Sequence, residues 1–301
     1  MSHVDPDALR LSAEEADGTY VVLMAFNEER VIRDVVQRVL ALNVHVVVVD
    51  DASTDGTVSQ LRGLPITVLR HAINLGQGAA TQTGVEFALA RGARYLVTFD
   101  ADGQHDENDI PRLVRVLTRE HRDVALASRF LGREALGMPR SKRLLLKGAV
   151  LYMRLTTGLP ITDAHNGLRA FRAEVAPALR ITQNRMAHAS ELLQKIREAG
   201  LAYAEIPAVV RYTEYSRAKG QTGLGAVDIL YELLMALPPD AWGRPTPAAG
   251  WDVRDQVSHL AHTEEVALDT LTGGPRNLAA EVERCGGGDA FTVRIYGVVH
   301  D

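Results

Sequence analysis

Short apolar runs in this chain end, again and again, in polar clusters, with a helical period between one run and the next. Tyr20–Phe26 runs into Asn27-Glu28, His45–Val49 into Asp50-Asp51, and Tyr95–Phe99 into Asp100-Ala101-Asp102. A further run, Ile66–Arg70, is followed by Asn74-Leu75-Gly76. Between the first two runs Val31, Ile32, Val35, Val36, Val39 and Leu40 recur at helical spacing. Helices are predicted over Thr57 to about Arg62 and from about Gln77 to Arg91, and Ile110–Glu120 and Val124–Ser128 read as one more helix and strand. Strands separated by helices of this length predict a mostly parallel sheet with helices on both faces. Ligands of such sheets gather at the carboxyl ends of the strands. Four polar clusters at those ends predict one binding edge.

Composition narrows the class. The chain has 301 residues, enough for one large domain or one domain plus a smaller one, and 46% hydrophobic residues supply a substantial core. A net charge of −5 argues against general nucleic-acid binding. The single cysteine, Cys285, excludes an intramolecular disulfide and fits a reducing cytoplasm. Residues 1–18 are polar and acidic, which reads as a flexible start and neither a signal peptide nor an anchor. No apolar run approaches the roughly 20 residues that span a bilayer, so a soluble or peripheral protein is expected.

After about residue 240 the character changes. Leu237-Pro238-Pro239-Asp240 and Arg244-Pro245-Thr246-Pro247 form a proline-punctuated break flanked by both tryptophans, Trp242 and Trp251. An amphipathic helix follows (Val253, Val257, Leu260, Ala261), then Gly286-Gly287-Gly288 and a strand-like run, Ala290–Val299, with no evident partner.

The stretch Val97-Thr98-Phe99-Asp100-Ala101-Asp102-Gly103-Gln104-His105 carries the sharpest chemistry. Residues i and i+2 of a strand share a face. Asp100 and Asp102 can therefore converge on one hard cation, with the Gln104 carbonyl nearby. Mg²⁺ prefers one or two carboxylates plus substrate phosphates to a full protein cage. Asp50-Asp51 followed by Ser53 and Thr54 also suits a helix N-cap, which explains the hydroxyls but not two carboxylates at a strand end. Gly76-x-Gly78 superficially suggests a dinucleotide fingerprint, but the third glycine falls too far along, at Gly84.

Residues 20 to about 235 resemble a family 2 glycosyltransferase of the GT-A (Rossmann-like) fold. The branch is that of dolichyl- and polyprenyl-phosphate sugar synthases and bacterial cell-wall glycan transferases. The resemblance rests on Ala25-Phe26-Asn27-Glu28-Glu29, Val49-Asp50-Asp51-Ala52-Ser53-Thr54-Asp55-Gly56-Thr57 and Asn74-Leu75-Gly76-Gln77-Gly78. It continues through Asp100-Ala101-Asp102-Gly103-Gln104-His105, Ser128-Arg129-Phe130, Asp163-Ala164-His165-Asn166-Gly167-Leu168-Arg169 and Tyr215-Ser216-Arg217-Ala218-Lys219-Gly220. It implies an inverting, metal-dependent transferase with a nucleotide-diphosphate sugar donor and a polyprenyl-phosphate, lipid-linked or cell-wall glycan acceptor.

The same resemblance assigns roles. Asp51, with Asp50, Asn27, Glu28 and backbone groups of Ala25, takes the base and ribose, and Gly76 and Gly78 let the backbone approach the nucleotide-sugar. Asp100, Ala101, Asp102 and Gln104 form the diphosphate and metal group, Asp100, Asp102 and Gln104 holding Mg²⁺ or Mn²⁺. Arg129 and Arg217 are candidates for the diphosphate or an acceptor phosphate, where arginine's planar fork fits. Glu191 is either a base for an acceptor hydroxyl or a first-turn residue favouring the helix dipole. Asp163 is either a base or an anchor for the Asn166-Gly167 turn. A lipid-phosphate acceptor needs no strong base.

Residues 137–157 carry Arg140, Lys142, Arg143, Lys147 and Arg154 and no acidic residue, interleaved with Leu144, Leu145, Leu146, Val150, Leu151 and Met153. The pattern suits an anionic membrane surface, at the inner face of the plasma membrane, or equally a helix covering the sheet edge. Leu234 to Gly274 resembles the start of the DinB-like, mycothiol-dependent maleylpyruvate isomerase family, with His259 matching its first metal ligand. The later ligand-bearing helices of that family are missing, and His262 does not complete a site. The expected organisation is a flexible start (1–18), a transferase domain (19–236) and a short, mostly helical appendage with an irregular tail (237–301). Two other readings compete: a DinB-like thiol-transferase or isomerase fusion, and a non-catalytic nucleotide-sugar binding module.

Overall fold

The computed structural model describes residues 10–131, 150, 153, 154, 157–164, 166–185, 187–211, 243 and 252. The chain divides into two units, Met1–Glu232 and Leu233–Asp301, and every element described belongs to the first. In order these are α1 (Ala13–Asp17), β1 (Thr19–Ala25), α2 (Ile32–Leu40), β2 (His45–Asp50), α3 (Thr57–Gln60), β3 (Thr67–Arg70) and α4 (Gln77–Ala90). There follow β4 (Tyr95–Asp100), α5 (Asp109–Arg119), β5 (Val124–Ser128), β6 (Arg169–Arg172), α6 (His188–Glu198) and β7 (Tyr203–Pro207). The predicted helix at 253–261, the run 290–299, Cys285, His259, His262, Arg217 and most of the basic stretch lie outside the described residues.

One sheet of seven strands, in the order β3-β2-β1-β4-β6-β5-β7, forms the middle layer. β1 is central, and all its residues except Tyr20 are buried, which is why it reads as a continuous apolar run. Its side chains alternate between two cores. Val21, Leu23 and Ala25 pack with Ile32, Val35, Val36 and Val39 of α2 and Ile110, Leu113, Val114 and Leu117 of α5. Val22 and Met24 face Ala80 of α4. The apolar residues of α2 stand at i, i+3, i+4 and i+7, one stripe of a helix. Each fully buried Leu or Ile on these stripes contributes about 1.5–3 kcal/mol.

Helix α4 has no such stripe of large residues; it buries Gly78, Ala80, Thr81, Gly84, Val85 and Ala88. A Cβ at Gly84 would fall 2.2 Å from Val22 Cγ1. Gly84 therefore serves close packing on β1, and the dinucleotide pattern was coincidental.

The sheet is mostly parallel, as expected, with one exception. β6 runs antiparallel between β4 and β5, so the sheet is mixed. Arg-Ala-Phe-Arg is too short to show a period, and its charged ends hide a strand. The start of the chain also differs, because Ser12 and Glu15 form a reciprocal capping box that closes α1, with Ala16 buried beneath. Residues 13–17 are thus helical where a flexible segment was expected.

Candidate active site

The chain passes from β1 to β2 and β3 on one side, then returns to place β4 on the other side of β1. Ala25 is level with Asp50, and Met24 with Asp100. The acidic ends of β2 and β4 thus flank β1 at a topological switch point, where open α/β sheets bind ligands.

Loops after β1 and β2 are tied rung by rung. Asp51 N–H donates to Ala25 O (2.8 Å), Asn27 N–H to Ser53 Oγ (2.9 Å), Glu28 N–H to Thr57 Oγ1 (2.8 Å) and Thr54 N–H to Asn27 Oδ1 (2.8 Å). Asn27 and Ala52 take positive φ angles, 55° and 61°, so that the two loops meet. Ser53 and Thr57 therefore serve the neighbouring loop rather than a helix cap.

Asp51 is buried, and its carboxylate holds the loop after β3. It accepts the N–H groups of Leu75 (2.9 Å) and Gly76 (2.7 Å) and faces His71 Nδ1 at 2.7 Å. His71 Nε2 in turn lies 3.0 Å from Thr83 Oγ1. Asp50 is fully buried, pairs with Arg70 (3.1 Å), and leaves Oδ1 without a partner among the described residues. Gly76 and Gly78 do permit a close approach, but to the chain itself. Cβ atoms there would lie 2.5 Å from Asn184 O and 1.9 Å from Gln183 O, and Ala79 N–H donates to Asn184 O.

At the end of β4, Asp100 Oδ1 accepts Gln77 Nε2 (2.7 Å) and Oδ2 lies 3.1 Å from His105 Nε2. Asp102 accepts Gln104 N–H (3.0 Å) and Gln104 Nε2 (2.6 Å), so the amide oxygen of Gln104 needs a half-turn to join the carboxylate. Ala101 is buried in the core and offers the site only its backbone. Burial, and then the charge of Asp100, push Asp102 up to about 6; Glu28 adds to the rise. Burial also opposes ionisation of Asp100, but the hydrogen bond and charge of His105 outweigh it and hold Asp100 below the ordinary value. A divalent ion would relieve the repulsion between the two crowded carboxylates. Around them His105 Nδ1 and Asn166 Nδ2 are buried with no partner among the described residues. No group of three or more His, Cys, Asp or Glu is placed to hold a metal ion among the described residues.

The Asp102 shift sets a pH dependence. A raised carboxyl pKa means the folded state holds its proton more tightly, so this contribution is full below about 4 and is lost as pH rises through about 6. The loss is about 1 kcal/mol once solvent screening is allowed for. Urea unfolding in EDTA at pH 4 and pH 7.5 should show this loss in wild type and not in Asp102→Asn. Identical pH slopes would refute it.

The remaining candidates are turned inward. Arg129 grips Asp163 with Nε and Nη2, both at 2.6 Å, and its backbone N–H adds a third bond at 3.0 Å. The Asp163 N–H donates to Glu205. The Glu191 carboxylate accepts Thr182 N–H, Thr182 Oγ1, Gln183 N–H and Lys195 Nζ, and against the cost of burial these hold its pKa below the ordinary value. Both carboxylates are thus engaged by other groups of the chain. Arg169, buried on β6, donates to the carbonyls of Asn166 and Ala164, and burial lowers its pKa to about 10. Of the basic stretch, Val150 and Met153 are buried and Arg154 is exposed, bonding Ile161 O.

His71, Gln77 and Arg169 had no role assigned from sequence. His71 was detectable as a polar residue just past β3, the same place as the other clusters. Gln77 and Arg169 lay inside quoted motifs, but only the folded chain shows what they touch.

Fold and site define an open α/β protein with an acidic binding edge at the switch point. The chain matches Glycosyl transferase family 2 over residues 20–179 and belongs to that family; it is a glycosyltransferase. Residues 225–294 match the mycothiol maleylpyruvate isomerase N-terminal domain, a longer match than the 40 or so residues that carried the resemblance. An uncharacterised protein of Methanocaldococcus jannaschii is 34% identical over 223 residues, covering 73% of this chain and 92% of its own length. The UDP-N-acetylglucosamine–dolichyl-phosphate N-acetylglucosaminyltransferase of Methanococcus voltae is 31% identical over 237 residues, 72% of this chain and 94% of that one. Glucosyl-3-phosphoglycerate synthase from Mycobacterium tuberculosis, crystallised with Mn²⁺, UDP and glucosyl-3-phosphoglycerate, shares the fold. It superposes with a TM-score of 0.57 at 20% identity, over 77% of this chain and 85% of that one.

Proposed function

We propose that this enzyme moves a sugar from a nucleotide-diphosphate donor to a polyprenyl phosphate or a lipid-linked, cell-wall glycan acceptor, with inversion at the anomeric carbon. The observation that carries it is the half-buried Asp100–Asp102 pair at the switch point, beside the loops that Asn27, Glu28 and Asp51 organise. The nucleoside lies over the ends of β1 and β2, against Ala25, Asn27, Glu28, Asp50, Asp51 and the Gly76–Gly78 turn. Asp100 and Asp102, with the Gln104 amide turned, would hold Mg²⁺ or Mn²⁺. When bound, the cation supplies a Lewis acid for charge developing on the departing diphosphate. The M. voltae relative's dolichyl-phosphate acceptor supports a phosphate nucleophile here. So do Glu191 and Asp163, whose carboxylates are already held by other groups: an ionised phosphate oxygen needs no base. Arg129 and Arg217 remain the candidates for phosphate contacts, Arg129 by partial release from Asp163.

A melting-temperature panel of nucleotide sugars with Mg²⁺ or Mn²⁺ tests the donor. The right donor at a hundred times its Kd should stabilise the fold by about 2.7 kcal/mol, and only with a divalent ion. No shift with any uridine or guanosine diphosphate sugar would remove the donor assignment.

The protein is proposed to work on the cytoplasmic side, peripherally at the inner face of the plasma membrane. No helix among the described residues is long and apolar enough to cross a membrane. Residues 137–157 are the proposed contact, each basic residue there contributing about 1 kcal/mol at an anionic surface. Wild type should float with anionic liposomes at low salt, and the variant with Arg140, Lys142, Arg143 and Lys147 all changed to Gln should not. Equal flotation of the two would remove residues 137–157 as the contact, and no flotation of either would point to a soluble acceptor. We place the transferase domain at 19–236 and an appendage at 237–301, near the division after Glu232.

A further inference from the structure

Asp51 and Asp100 stand at the ends of different strands, yet one short segment touches both. Asp51 fixes the backbone N–H groups of Leu75 and Gly76. The next residue, Gln77, opens α4 and turns its amide nitrogen onto Asp100 Oδ1 at 2.7 Å. The surroundings of Asp100 on its other side are rigid. His105, against Oδ2, is buried, stands edge-on to Phe99 with ring centroids 5.5 Å apart, and is held by a backbone bridge to Val210. Behind Oδ2 lies the backbone of Gly167, where a Cβ would come within 2.2 Å. Gln77 is different, because its position follows the loop that Asp51 sets.

We propose that Gln77 is a positioning residue that couples the two ends of the donor site. A nucleoside bound against the Asp51 loop fixes Leu75 and Gly76, and the Gln77 amide then holds Asp100 in the orientation a divalent cation requires. The inference rests on the donor reading above. Such coupling is reciprocal: the cation tightens nucleotide binding by the same factor by which the nucleotide tightens cation binding. Part of any measured factor comes from the diphosphate touching the cation directly, and that part needs no Gln77. Gln77→Leu preserves bulk and removes the amide, so the difference between the two proteins isolates the share that passes through the chain.

The experiment measures Mn²⁺ dissociation constants of the full-length chain by the paramagnetic resonance of the free ion, corrected for Mn²⁺ chelated by free nucleotide. It is run without nucleotide, with UDP and with GDP, on wild type and Gln77→Leu. The variant should lower the coupling factor by about fivefold or more, while its melting temperature is unchanged. Gln77→Ser supplies the same comparison should the leucine variant fail to fold. A variant that weakens Mn²⁺ equally with and without nucleotide has an unchanged factor. That result overturns the coupling and leaves the donor reading standing. If neither nucleotide binds wild type, with or without Mn²⁺, the donor reading falls and the coupling falls with it.

Discussion

Asp102→Ala is expected to lower kcat by about a thousandfold or more, because the cation it would hold contributes several kcal/mol at the transition state and each 1.36 kcal/mol is a factor of ten. The fold should survive. Asp102 lies just past β4, outside the hydrophobic core, and it is hydrogen-bonded by Gln104. Removing its charge should even stabilise the metal-free protein at neutral pH, since burial and Asp100 both oppose ionisation there. Loss of turnover together with an unchanged or higher melting temperature is therefore the signature of a cation ligand. Steady-state transfer in saturating Mn²⁺ decides it: a variant with wild-type kcat would end the assignment.

Asp163→Ala has the other large expected effect, and it falls on stability. Arg129 and Asp163 are both buried, and the bidentate pair with its third bond from the Arg129 backbone is what makes their burial tolerable. Deleting one partner of a buried ion pair costs about 3–5 kcal/mol, because the charge left behind has lost its compensation. The double change Arg129→Met with Asp163→Leu removes both charges and should recover most of that loss. Urea unfolding of the three proteins measures it. An Asp163→Ala protein with wild-type stability and no turnover would restore Asp163 as a base and remove it as an anchor.

The two carboxylates look alike in sequence, each within a family motif, and the structure separates them by their partners. Asp102 is bonded by one flexible glutamine and repelled by Asp100. Asp163 is clamped by an arginine from the end of β5, 34 residues earlier in the chain. Glu191 repeats the lesson, for four donors from residues 182, 183 and 195 surround a group that its helix position alone left ambiguous. No spacing rule announces such contacts, because they depend on which loops the fold brings together. Gly76 and Gly78 belong here too. Their need for space was visible, but the occupant of that space, the Gln183–Asn184 backbone, was not.

By itself the sequence determined the strand–helix alternation as far as β5, with boundaries within a residue or two, and placed the acidic clusters at one edge. The physical reason is local: period 2 against period 3.6, and buried central strands that must be apolar on both faces. Its motifs determined the family. Only the tertiary structure decided that β6 enters antiparallel between β4 and β5 and that Gln77 reaches Asp100. Each depends on pairing or packing between segments too short or too far apart for local periodicity to record, so the energy that selects them exists only once the sheet has formed.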